Sequence, residues 1–469
     1  MSTLNLTLLT DLYELTMMQG YFKNHNQDVV VFDAFYRSNP CDGGYSVCAG
    51  LAQVIDYIEN LHFDADDINY LRSLKIFDED FLEYLSNFKF SGDIYAVPEG
   101  SLIFPREPLV KVVAPIMEAQ LIETAILNIV NHQCLIATKA ARVCYAAKGD
   151  NVMEFGLRRA QGPDSGTYGA RAAVIGGCNG TSNVLAGQMF HVPVLGTHAH
   201  SWIMSFPDEY TAFRKYAELY PSACILLVDT YDTLKSGIPL TYYGIRMDSG
   251  DLAYLSKQVR KMLDEAGFPD AVISASNDLD EYLIESLKLQ GAAISSWGVG
   301  TNLITSKDNP AFGGVYKLAA IRTADGSFQP KIKLSENVEK VTNPGNKTFY
   351  RVYDKKTGKI KADLICLYDE TFDESEYLKL FDPNAPWKKT RLPGGSYTLR
   401  EMLIPVIKAG KTIYTSPGVM EIREICNHEK DTIWDETKRF VNPQEIYVDL
   451  SQKLYDMKTA LLNEMSMDS

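Results

Sequence analysis

Residues 246–266 read RMDSGDLAYLSKQVRKMLDEA. An apolar run ends at Arg246-Met247 in a polar, glycine-bearing tip, and residues 251–266 then carry apolar side chains at helical spacing. Strand, tip and helix form one unit, and this unit decides the fold because it recurs. Apolar runs also end in Glu154-Phe155-Gly156, in Gly196-Thr197, in Val228-Asp229-Thr230, in Ser274-Ala275-Ser276-Asn277 and in Gly298-Val299-Gly300-Thr301, with a helical stretch at 278–289. Alternating strands and helices imply a parallel sheet. Repeated this often, the pattern predicts an α/β barrel, irregular and incomplete. Ligands meet such barrels at the C-terminal ends of the strands, where this chain places acids, hydroxyls and glycines.

Around that centre the signal changes. SVCAGLAQVIDYIENL (46–61) has helical spacing, 93–115 reads as short strands broken by proline and glycine, and 116–148 reads as a long helical region. Residues 349–368 predict a β-hairpin turning at Lys356-Thr357-Gly358. Residues 369–397 read as loop, and 416–469 as a mostly helical, charged scaffold. The expected organisation is an α/β N-terminal domain (1–140), the α/β barrel (141–350) and a mixed, largely helical C-terminal region (351–469) packing on the other two.

The chain has 469 residues, a net charge of −14 and a pI near 5.1, which argues against a nucleic-acid backbone as partner. The opening MSTLNLTLLTDLYELTMM has no basic n-region, and no apolar run approaches membrane-spanning length. The eight cysteines form no CxxC pair, and several lie in apolar contexts such as ACILLVD. These features predict a cytoplasmic protein with reduced thiols and no membrane partner.

The stretch from Glu154 to Trp202 crowds Arg158, Arg159, Arg171, many glycines and three of the seven histidines together. Planar arginine forks grip phosphate oxygens, and glycines let backbone N–H groups approach an anion. Gly298-Val299-Gly300-Thr301 is either a phosphate cradle or a plain strand-to-loop turn. Arg246 and Asp248 share a strand face. The carboxylate suits ribose hydroxyls and the arginine suits a carboxylate or phosphate; the alternative is an ion pair capping the next helix. His198 and His200 read three ways: a metal pair, a hydrogen-bonded core histidine, or a phosphate-accepting imidazole. Past position 200 only His428 remains, which disfavours metal. Tyr13 lies in a short helical turn, where an aromatic ordinarily packs on the core. An aldolase would want a lysine at a strand tip, and none ends in one.

Thr10-Asp11-Leu12-Tyr13-Glu14-Leu15-Thr16-Met17, Glu154 to Gly162, Gly196-Thr197-His198-Ala199-His200-Ser201, Arg246 to Gly250, Gly298 to Thr301 and Gly313 to Leu318 stand in this order over about two thirds of the chain. In them the chain resembles the nicotinate phosphoribosyltransferases, of the type II phosphoribosyltransferase family. The resemblance implies that nicotinate and phosphoribosyl pyrophosphate give nicotinate mononucleotide and pyrophosphate, with ATP as hydrolysed co-substrate and Mg²⁺ escorting the pyrophosphate. That is the first step of NAD synthesis from nicotinate. It also implies a homodimer with shared sites. His200 resembles the histidine phosphorylated by ATP, and Tyr13 an aromatic lent across the dimer to stack on the pyridine ring. Thr197 and Arg246 resemble nicotinate contacts, Gly300 and Thr301 the 5′-phosphate cradle, Asp248 a ribose-binding catalytic group, and Arg158 a phosphate ligand. Phe155 and Ser182 complete the substrate-contacting set, with no protein metal ligand. Ser182 stands where the related nicotinamide enzyme has a carboxylate, which favours nicotinate as substrate.

Overall fold

The computed structural model describes residues 5–222, 224–234, 244–335, 340–383, 385 and 387–467. The chain divides into two compact units: Met1–Cys134 with Phe312–Pro417 and His428–Ser469, and Leu135–Ala311 with Gly418–Asn427. Among the described residues no helix is long and apolar enough to cross a membrane.

The first unit holds two large sheets. One has seven strands in the order Phe328–Pro330, Val315–Arg322, Val29–Phe35, Val110–Pro115, Asp93–Ala96, Ile404–Lys408 and Lys411–Thr412. Val29–Phe35 pairs antiparallel on both sides and is buried along its middle, as VVVFDAF suggests. Its one charged residue, Asp33, is paired with Lys347 Nζ at 2.7 Å. The other sheet runs Lys389–Leu392, Leu378–Phe381, Tyr447–Leu450, Ile360–Leu367, Lys347–Asp354 and Tyr397–Glu401. Lys347–Asp354 and Ile360–Leu367 form the expected hairpin, its turn closed by Asp354 Oδ1 accepting from the N–H groups of Lys356 and Thr357 at 2.9 Å.

Two expectations for the C-terminal region are corrected. Residues 369–397 are not loop throughout: Leu378–Phe381 and Lys389–Leu392 pair antiparallel. Nor is the region largely helical, since strands dominate it up to Thr412 and helices follow only at Val419–Asp431, Asp435–Lys438 and Gln452–Met467. Four-residue strands such as LKLF are too short for an alternation to show, and the strand that joins this pair to the rest of the sheet, Tyr447–Leu450, lies far along the chain. At the centre of this unit Arg351 is fully buried. It donates to Asp363 Oδ2 at 2.7 Å, to the carbonyl of Leu102 at 2.8 Å and to Glu429 Oε2 at 3.3 Å. The helix Leu12–Lys23 carries Tyr13 on an exposed face and is longer than the single turn read from sequence.

The second unit is built on a six-stranded parallel sheet: Gly180–Thr181, Asn151–Glu154, Ser296–Val299, Val272–Ala275, Gly244–Met247 and Ile225–Leu227. Because every strand runs the same way, the tips of all six open on one edge. Asp251 and Asp280 cap the helices Leu252–Glu265 and Glu281–Leu289, accepting from Tyr254 N–H at 3.0 Å and Leu283 N–H at 2.7 Å. The apolar stripe of the first of these covers the sheet with Leu252, Val259 and Leu263. Gly176 lets its helix close on another, since a Cβ there would sit 2.2 Å from the Ala137 carbonyl oxygen. Gly196-Thr197 ends no regular strand. Its extended segment makes one parallel bridge, Thr181 to Val194.

Candidate active site

The strand tips of the second unit line an open cleft. Phe155, Arg158, Ser182, Thr197, Arg246, Asp248, Gly300 and Thr301, all selected from the sequence, line it. Arg246 is its centre. The parallel register sets Ser274 beside Arg246 and Ala275 beside Met247, so the next tip residue, Ser276, falls within reach of the guanidinium. Arg246 Nε donates to Ser276 Oγ at 2.8 Å, Nη1 to Thr197 Oγ1 at 2.9 Å and Nη2 to Asp248 Oδ1 at 2.8 Å. The Ser276 hydroxyl also donates to Asp248 Oδ1. Partial burial pushes the Asp248 carboxyl up, but Ser276 and Arg246 together outweigh it and hold the group below the ordinary carboxylate range. Asp248 is thus a charged acceptor at pH 7, and Arg246 is a fork fixed in plane.

Opposite lie the arginines of the turn Leu157–Arg159. Arg158 and Arg159 are exposed and make no ion pair among the described residues, so both forks are available to an anion. Arg171 does not join them. It is buried in the helix Pro163–Gly176, over the Phe190 ring at 5.8 Å, and its expected phosphate role is corrected. Gly298 and Gly300 let the chain pass close to Phe155. A Cβ on Gly298 would meet the Phe155 ring at 2.7 Å, and one on Gly300 would lie 3.3 Å from its carbonyl oxygen. The first turn of Thr301–Ile304 leaves N–H groups without helical partners at the cleft edge.

Ser182 is placed by Glu154. That carboxylate is fully buried, which raises its pKa, and it accepts from the Thr181 hydroxyl at 2.5 Å and from Gly156 N–H. The Glu154 carbonyl accepts from Ser182 N–H at 3.0 Å.

The two histidines of H-x-H separate. His198 is buried, packs 4.8 Å from the Tyr216 ring, and its Nε2 accepts from Leu227 N–H at 3.2 Å. Burial pushes its pKa from 6.5 down to about 4. It is the hydrogen-bonded core histidine, and with Nε2 engaged the metal-pair reading falls. His200 opens the helix His200–Met204, half exposed, with Nδ1 at 3.1 Å from the Thr230 hydroxyl and Nε2 at 4.0 Å from Asp229 Oδ1. Asp229 is buried. Its Oδ2 accepts from Asp248 N–H at 2.8 Å and from the Ser249 hydroxyl at 2.7 Å, while Oδ1 has no hydrogen-bond partner among the described residues. One carboxylate therefore serves both the imidazole and the Asp248 loop.

Sequence reading gave no role to Asp229, Ser276, Asn277 or Asp278. Asn277 and Asp278 both line the cleft with left-handed backbones, φ +92° and +43°. Asn-Asp after a strand was the available signal, since both residues tolerate that conformation. Tyr13 belongs to the first unit and is not among the residues of this cleft.

Three family models match the chain in order: the nicotinate phosphoribosyltransferase N-terminal domain over residues 8–131, the nicotinate phosphoribosyltransferase family over 151–357, and the corresponding C-terminal domain over 346–458. The nicotinate phosphoribosyltransferase of Bacillus subtilis is 45% identical over 98% of this chain and 96% of its own length. The human protein of that name is 31% identical over 97% of this chain and 96% of its own. The crystal structure of human nicotinic acid phosphoribosyltransferase superposes with a TM-score of 0.84 at 28% identity, covering 97% of this chain and all of that one.

Proposed function

The chain belongs to the nicotinate phosphoribosyltransferase family and is an enzyme of that activity; from this premise we propose that the cleft of the second unit joins nicotinate to phosphoribosyl pyrophosphate, with ATP hydrolysis coupled through phosphorylation of His200. The observation that carries this reading is the meeting of the Arg246 fork, the Asp248 carboxylate and the Gly300-Thr301 turn at one cleft. Arg246, steadied by Ser276 and Thr197, answers the nicotinate carboxylate. Phe155 and the Tyr13 of a partner subunit sandwich the pyridine ring. Asp248 holds the ribose hydroxyls, the N–H groups at 300–301 hold the 5′-phosphate, and Arg158 and Arg159 hold the diphosphate.

As the C1–O bond lengthens, positive charge grows on the ribosyl ring and the bonding pair leaves with pyrophosphate. The forks of Arg158 and Arg159 stabilise that departing charge. The pyridine nitrogen, aligned by its carboxylate and its stack, supplies the pair for the new C1–N bond, and no base is required. Mg²⁺ takes one or two carboxylates together with phosphate oxygens and water; Asp278 and Asp229 Oδ1, which accepts no hydrogen bond among the described residues, are oxygen donors that would hold it, and it would neutralise leaving-group charge.

For the coupled reaction, Thr230 fixes one nitrogen of His200 and leaves the other to attack the γ-phosphorus of ATP, forming an N–P bond as the bond to ADP breaks. The product, nicotinate mononucleotide, would enter NAD synthesis, and the enzyme would act in the cytoplasm. Two further features support finer readings. The segment 193–198 pairs with Thr181 on one side and, through His198, with Leu227 on the other, which favours an incomplete barrel over an open sheet. Exposed apolar residues occur on the helix Leu12–Lys23 and at Val184, Leu185, Met189 and Val194, which favours a homodimer with shared sites.

Incubation with ATP labelled at the γ-phosphate tests the central claim. The wild type acquires an acid-labile label and His200→Ala does not. An alanine variant that keeps full ATP coupling would sink the role of His200. Ser182 repels no carboxylate, so nicotinamide should be turned over poorly; equal kcat/KM for both substrates would overturn that assignment.

A further inference from the structure

Glu14 is a fully buried carboxylate beside an exposed aromatic, Tyr13, in the first turn of the helix Leu12–Lys23. Consecutive helical residues point about 100° apart, so one faces inward while its neighbour faces out. Asp11, the N-cap of this helix, makes no side-chain capping bond, which leaves the first turn without the usual local tie. Glu14 ties it sideways instead. Its Oε1 accepts from Thr124 N–H at 3.0 Å and from the Thr124 hydroxyl at 2.7 Å, and its Oε2 accepts from the Thr10 hydroxyl. Thr124 stands in the first turn of the helix Glu123–Ala146, where N–H groups lack helical partners and the helix dipole favours an anion. A second tie runs beside the first. The Tyr13 hydroxyl donates to the Glu123 carboxylate, which also accepts from the Gln120 amide at 2.9 Å. Two successive residues of one helix thus hold two successive residues of another.

We propose that Glu14 is a positioning residue for the reaction: by bridging Thr10 and Thr124 it fixes the turn that presents the Tyr13 ring. This rests on the reading that Tyr13 stacks on the pyridine ring. A ring that must be ordered at the moment of binding gives up part of its contact energy, and one already held does not. Burial, opposed by the hydrogen bonds from Thr10 and Thr124, pushes the Glu14 pKa up to about 7, so a neutral group of the same shape also suits the position. In Glu14→Gln the amide oxygen keeps both Thr124 bonds and the NH₂ group donates to the Thr10 oxygen. The Thr10 hydroxyl then turns to the Leu121 carbonyl, 3.3 Å away. Alanine makes none of these bonds.

Equilibrium dialysis of labelled nicotinate mononucleotide against the full chain, without pyrophosphate, reads the stack with no turnover. Tyr13→Ala should weaken binding about tenfold, within the range of a lost base stack. Glu14→Ala should weaken it about fivefold, and Glu14→Gln should hold it within about twofold of the wild type. The double variant decides. If Glu14 acts through the ring, Tyr13→Ala with Glu14→Ala binds only as weakly as Tyr13→Ala alone. A double variant weakened by the product of the two single effects overturns the proposal, and so does a loss in Glu14→Gln as large as in Glu14→Ala. Unchanged binding in Glu14→Ala beside weakened binding in Tyr13→Ala overturns it too and leaves the stacking role intact. Unchanged binding in Tyr13→Ala removes that role, and the proposal with it. Thr124→Val, which loses the hydroxyl donor and keeps the N–H, carries the same cycle should Glu14→Ala not fold.

Discussion

At the scale of single residues, Arg246 shows why a charge-conserving change is not conservative. Its three hydrogen bonds leave in three directions from one plane, and a lysine ammonium cannot make them at once. Arg246→Lys should lower kcat/KM for nicotinate by about 10²–10³-fold, read in steady-state kinetics. The same change should move the acid limb of the pH–rate profile upward. Asp248 is held below the ordinary carboxylate range, so its stabilising interactions are present above that range and fade as pH falls through the folded value. Without the fork, that fading begins at higher pH. The Arg246–Asp248 pair was legible because residues two apart share a strand face. Ser276 and Asp229 were not assigned, because their roles depend on which strands are neighbours: Ile225–Leu227 and Val272–Ala275 flank Gly244–Met247 on either side. No local pattern encodes that adjacency.

Among elements, the segment 193–200 decides most. Alternation along an extended chain puts His198 and His200, two apart, on the same side, so it cannot say that one packs in the core while the other opens the helix His200–Met204. That division comes from the edge strand Ile225–Leu227, whose N–H at Leu227 needs an acceptor and finds His198. The consequence is measurable. Because the folded state holds His198 neutral, its contribution to stability is complete above pH 6.5 and is lost as pH falls toward about 4. His198→Gln keeps an acceptor without titrating, so urea unfolding of the variant should show a shallower pH dependence across that window. An unchanged slope would count against the assignment. The long repeated units were legible because each carries its own period and its own cap. The pairs Leu378–Phe381 and Lys389–Leu392 were not, since four residues carry no period.

For the whole molecule, the shared-site reading makes a quantitative prediction. Tyr13→Ala and His200→Ala homodimers should each be inactive. If each cleft takes its tyrosine from the partner, co-refolding equal amounts should restore about a quarter of wild-type activity, because half of the dimers are mixed and each has one intact cleft. No recovery in the mixture would mean that Tyr13 acts within its own chain. The order of the units also sets how the chain can be made. Val29–Phe35 lies between Val110–Pro115 and Val315–Arg322. On the ribosome that strand emerges early, and one of its flanks stays unsatisfied until Leu135–Ala311 of the second unit and then Val315–Arg322 have been synthesised. The nascent N-terminal portion therefore presents a bare, valine-rich ribbon for most of translation, and slowing elongation beyond residue 134 should increase chaperone demand more than slowing it before.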